Sequence, residues 1–135
     1  MSNRRRRSIP SPVPTPAQDP LDFEIEFFDR LLARLPDHAE ALRVQARNLT
    51  AKGRIADGLE VDRRLVRTRP EDPAAHYNLA CRYALLRQPD LALRTLRRAV
   101  ELGFSDFASL RRNRDLDSIR KDPRFRTLLR ELAKK

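Results

Sequence analysis

The chain has 135 residues, with 29 Lys+Arg against 19 Asp+Glu and a formal net charge of +10. That length suits a single domain with a real core and excludes most multidomain enzymes. Three glycines argue against Gly-rich phosphate loops, and one cysteine excludes a disulfide framework or a multi-cysteine metal site within one chain.

The charge is unevenly spread: residues 1–20 carry +3, residues 21–62 carry −3 and residues 63–135 carry +10. Residues 1–19 read as a disordered tail. Pro10, Pro12, Pro14 and Pro16 alternate with Ser11, Val13 and Thr15, a spacing that favours polyproline II and forbids a helix. Arg4, Arg5, Arg6 and Arg7 are followed by no apolar run, so the sequence predicts neither a secretory signal nor a membrane span. A cytoplasmic location is expected, or a nuclear one if Arg4–Arg7 acts as an import signal.

From Pro20 onward the pattern is helical. Leu21, Ile25, Phe28, Leu32 and Leu35 share one helical face, with Asp19 as cap and Pro20 in the first turn. Pro36 ends that helix. Asp37 and Glu40 form a capping-box-like pair for the next, which Gly53 closes. A third helix runs from about Ile55 to Thr68. Asp72 and Pro73 open a fourth, Pro89 opens a fifth that Gly103 terminates, and Asp122 with Pro123 opens the last. Phe125, Leu128, Leu129 and Leu132 form the apolar face of that last helix. No stretch alternates with period two, so the expected class is all-α.

Pro36 and Pro70 lie 34 residues apart. Leu79, Ala80 and Tyr83, then Ala92, Leu96 and Ala99, match the signature sites of one helix pair. Leu42, Ala46, Leu49, Gly53, Gly58, Leu65 and Pro70 match the pair before it. On these residues the chain resembles the tetratricopeptide repeat family. The resemblance implies an α-solenoid of antiparallel helix pairs in a right-handed superhelix. Residues 20–36 form a half-repeat, residues 39–72 and 73–106 two repeats, and residues 107–135 an incomplete repeat with a closing helix. Gln45 and Asp62 depart from the pattern, because both sites are normally apolar or aromatic. Ala46, Ala80, Gly58 and Ala92 are small where paired helices cross.

Neither a nucleophile elbow, a P-loop nor a zinc-helix motif is present, so enzymatic activity, a cofactor and a metal are not expected. His38 reads as a solvated neighbour of a cap, His76 as a semi-buried packing residue and Cys81 as a packed thiol without a base. Asp115 and Asp117 read as helix caps or partners of arginines.

Three surfaces are candidates. The resemblance implies a groove lined by first helices, where partner peptides bind. By register it would show Arg43, Arg47, Tyr77, Asn78, Arg111 and Arg112, with Thr50, Cys81, Ala84 and Leu85. Arg43, Asn78 and Arg112 partly match a two-carboxylate clamp of the family, whereas Arg47 and Ala108 depart from it. An acidic partner segment would suit this charge. The second surface is a ladder of Arg64, Arg94 and Arg98, with Arg30, Arg63 and Arg97. It suits phosphates, hence a nucleic-acid alternative, unless pairs such as Glu60–Arg64 absorb it. The third is Phe23, Phe27 and Leu31 at the open N-terminal helix, where a second copy, a partner helix or the folded-back tail could sit. A protein-interaction module is the leading expectation, with a self-associating structural subunit as a further alternative.

Overall fold

The computed structural model describes residues 18–134; the tail with Arg4–Arg7 and its alternating prolines lies outside them. The described residues contain helices and no strand. In chain order these are α1 (Pro20–Arg34), α2 (Ala39–Ala51), α3 (Ile55–Thr68), α4 (Pro73–Leu85), α5 (Pro89–Glu101), α6 (Phe107–Arg112), a 3-10 helix (Arg114–Ile119) and α7 (Pro123–Ala133).

The helix starts are built from local chemistry. Asp19, Asp72, Asp106 and Asp122 each accept a hydrogen bond from a backbone N–H in the first turn of their helix. Proline opens α1, α4, α5 and α7, where its missing N–H costs nothing. At α2 the cap differs from the expected Asp37–Glu40 box. His38 is the cap itself, its Nδ1 accepting from the Ala41 N–H at 3.1 Å. Gly53 and Gly103 close α2 and α5 with φ of +88° and +109°, a region glycine enters without a Cβ penalty.

The 34-residue interval runs further than the sequence pattern shows. First helices are capped at His38, Asp72 and Asp106, and second helices start after Arg54, Gln88 and Asp122. The third unit, expected to be an incomplete repeat with a closing helix, starts its helices at the same interval. Its first half is broken at Asn113, where ψ is 114° and the chain passes from α6 into the 3-10 helix. α1 keeps the register of a second helix alone.

From α1 to α5 each helix packs on the next, and α7 packs back on α5 and α6. In α5, Ala92, Leu93, Leu96, Ala99 and Val100 are buried, the stripe of an amphipathic helix. One core cluster joins α3–α7, from Leu59 through Leu79 and Leu96 to Leu116, Ile119 and Phe125. A second joins Leu32, Ala41, Leu42, Leu65 and Ala75 across α1–α4. Leu65 and Leu96 are fully buried, each contributing about 1.5–3 kcal/mol over exposure. Ala46, Ala80, Ala92 and Gly58 are buried where the pairs cross. A Cβ on Gly58 would stand 2.8 Å from Thr50 Oγ1 and 3.2 Å from the Ala46 carbonyl, so α2 and α3 could not cross this closely with a larger residue there.

Candidate binding surfaces

The first helices α2, α4 and α6 carry the residues assigned to the groove, but those residues differ in how free they are. Arg43 is held. Its Nη2 donates to Asp72 Oδ2 at 3.0 Å and its Nε lies 3.5 Å from Glu40. Because Asp72 caps α4, this pair ties α2 to the start of the next repeat. Burial raises the Asp72 carboxyl, but the hydrogen bonds from Arg43 and the Ala74 N–H outweigh it and hold the group below the usual range. Arg47 is exposed and has no carboxylate partner among the described residues.

Tyr77 is not open. It is 8% exposed, its ring stacks on Phe104 with centroids 4.3 Å apart, and its hydroxyl accepts from Asn113 Nδ2 at 2.8 Å. Burial pushes its hydroxyl well above the usual range. Cys81 sits one turn later, 1% exposed, with Asn113 Nδ2 3.5 Å from its sulfur. Burial pushes the thiol up to about 12, so it is protonated at neutral pH and a poor nucleophile. Ala84 is buried too, and its carbonyl accepts from Ser118 Oγ. The segment from Asn113 to Ile119 therefore covers this face of α4. Asn78, half-buried on the same helix, makes no side-chain hydrogen bond among the described residues.

Arg111 and Arg112 are exposed on α6 and have no carboxylate partners among the described residues. With Phe107 and Ala108 they line a hollow of about 450 Å³, and Arg111 lies 5.7 Å from the Phe107 ring centroid. Arg120 fixes their position. It donates to the carbonyls of Leu110, Arg111 and Asn113 at 3.1, 2.8 and 2.7 Å, satisfying the end of a helix too short to hold itself. Its guanidinium also lies 5.6 Å from the Phe125 ring centroid.

Two departures from the repeat pattern prove structural. Gln45 donates to the Ile25 carbonyl at 2.9 Å and to Asp29 at 2.7 Å, anchoring α1 to α2. Asp62 is buried and faces Arg82. Sequence reading flagged both positions as odd but missed the residues they meet. Nothing in the local pattern around Arg82 or Arg120 signals their roles, which depend on residues 7–33 positions away.

On the ladder, Glu60 meets Arg63 at 3.5 Å instead of Arg64, Arg98 lies 3.6 Å from Glu101, and Arg97 lies 3.6 Å from Glu131. Arg64 and Arg94 have no carboxylate partner among the described residues. At the open end, Phe23, Glu24, Phe27 and Phe28 line a hollow of about 250 Å³, and Phe27 is 43% exposed. Leu31, expected beside Phe23 and Phe27, turns instead toward the cluster of Leu32, Leu42 and Leu65.

Both histidines are engaged: His38 caps α2, and His76 Nε2 lies 2.8 Å from the Pro70 carbonyl. Among the described residues no group of three His, Cys, Asp or Glu side chains could hold a metal ion. No helix among them is long and apolar enough to cross a membrane.

The helix order and packing have a counterpart in a solved structure, the MamA RS-1 ArsTM double mutant. Its TM-score is 0.60 and its identity 20%, over 82% of this chain and 64% of that one. The fold is a tetratricopeptide-like helical repeat. No protein-family model matches the chain. Over 82 residues it is 33% identical to a chloroplastic protein of Arabidopsis thaliana, covering 58% of this chain and 24% of that protein. The chain thus spans about a quarter of that relative's length.

Proposed function

We propose that the chain is a protein-interaction module that docks an acidic segment of a partner protein across Arg47, Asn78, Arg111 and Arg112. One observation carries this reading. Three arginines near the first helices are held by carboxylates or carbonyls, Arg43 by Asp72, Arg82 by Asp62 and Arg120 by three carbonyls. Arg47, Arg111 and Arg112 are exposed without such partners among the described residues, so their guanidiniums are available to an incoming carboxylate. In a tetratricopeptide-like stack the first helices line the inner face, which supports reading these groups as one binding surface. Its apolar part is narrow, because residues 113–119 occupy the face of Tyr77, Cys81 and Ala84. Charge-assisted contacts then dominate binding, and affinity falls as salt rises.

Binding of a labelled acidic peptide tests this reading, with Arg47→Ala/Arg111→Ala/Arg112→Ala as the groove variant and Arg64→Ala/Arg94→Ala as its control. Loss in the groove variant alone supports it. Equal loss in the control favours a diffuse basic surface of the kind nucleic acids also meet.

A further inference from the structure

The two ends of the array present complementary chemistry. α1 holds the position of a second helix, and no first helix precedes it among the described residues. The other described residues leave an apolar strip of α1 uncovered: Phe27 is 43% exposed and Phe23 half-buried, four residues apart and so about 6 Å along the axis. Glu24 lines the same hollow. Glu24 and Glu26 are exposed and have no cationic partner among the described residues.

At the other end, Val100, Phe104, Phe107 and Leu132 line a mainly apolar cleft of about 340 Å³. Phe107 is shared with the adjoining hollow of Ala108, Arg111 and Arg112. One end thus offers aromatic rings beside two free carboxylates. The other offers an apolar cleft beside two free guanidiniums.

We propose that α1 of one copy docks against the third repeat of a second copy, Phe23 and Phe27 entering the Phe104–Phe107–Leu132 cleft and Glu24 and Glu26 meeting Arg111 and Arg112. A symmetric α1–α1 contact is disfavoured, because it brings the four carboxylates of two copies together. The contact joins two different patches, so it is heterologous. Each copy in a chain leaves one end free, and assembly does not stop at two. The proposal does not rest on the peptide reading, although both use Arg111 and Arg112. Phe23→Ala/Phe27→Ala separates them, weakening self-association while leaving Arg47, Arg111 and Arg112 intact for peptide.

The test is sedimentation of the full chain over a wide concentration range at low and high salt, with circular dichroism as a check on helix content. The expected mass rises with concentration past that of a dimer and falls with added salt. Glu24→Arg/Glu26→Arg and Arg111→Glu/Arg112→Glu, all at exposed positions, each weaken association by about tenfold or more. An equimolar mixture of the two variants associates again, because the reversed charges match. A concentration-independent monomer, an assembly that stops at two copies, or a mixture that fails to associate overturns the proposal.

Discussion

Arg82 Nε lies 3.1 Å from Asp62 Oδ2, with 10% and 1% of the two side chains exposed, so α4 grips α3 across the boundary between repeats. Arg82 also reaches Asp115 in the 3-10 helix at 3.5 Å, linking three successive units through one guanidinium. Asp62 has close charge contact but no well-aligned hydrogen bond on either oxygen. Such a pair stabilises little in net terms, yet it is costly to break.

Asp62→Leu, which restores the apolar residue usual at this position, leaves Arg82 buried with only the longer, 3.5 Å contact to Asp115. It is expected to destabilise by about 3–5 kcal/mol in urea denaturation. Asp62→Leu/Arg82→Met removes both charges and recovers most of that loss. Recovery in the double variant distinguishes a stranded charge from a packing defect.

The same carboxylate sets a pH dependence. Burial raises Asp62 from 3.8 to about 6, against the opposing pull of Arg82 and Arg43. Between those values the folded chain binds a proton that the unfolded chain has lost. This group's contribution to stability therefore declines as pH rises from about 4 to 6 and is flat above. The difference in urea midpoint between the chain and Asp62→Asn should change across that window and stay constant above it.

Gly53 and Arg87 hold the same place in successive repeats, both with positive φ, +88° and +59°. Arg87 is the only non-glycine with positive φ among the described residues. Gly53→Ala is expected to cost about 1 kcal/mol, although nothing lies within 4 Å of the added Cβ. Arg87→Gly is expected to gain up to about 1 kcal/mol, with the thermal midpoint rising accordingly.

Asn113 closes the third repeat on the second. Its Nδ2 donates to the Tyr77 hydroxyl, its Oδ1 accepts from the Asp115 N–H at 3.0 Å, and its carbonyl accepts from Arg120. Asn113→Ala keeps only the last of these. A loss of about 1–3 kcal/mol is expected, together with faster labelling of Cys81 by a thiol reagent in the folded state. Unchanged labelling would show that the segment stays seated without the amide.

Most helices were legible in the sequence because caps, prolines and apolar spacing agree locally, as at Asp72–Pro73 and Asp122–Pro123. The 34-residue register located α2–α5 as two pairs. It stopped short in the third unit because the break at Asn113 disguises a first helix. The candidate surfaces were harder. Register placed Tyr77, Cys81 and Arg43 correctly on first helices, but their exposure depends on contacts made 29–36 residues away, with Asp72 and Asn113. Leu31 fell on the expected stripe, yet it packs against the Leu32, Leu42 and Leu65 cluster.

The proposed docking of an acidic segment on free guanidiniums of the first helices is measured most directly by fluorescence anisotropy, with a fluorescein-labelled peptide of alternating Glu and Leu. Saturable binding at physiological salt is expected, weakened about tenfold or more by Arg47→Ala/Arg111→Ala/Arg112→Ala and unchanged by Arg64→Ala/Arg94→Ala. Absence of binding by the unaltered chain, or equal loss in both variants, would contradict it.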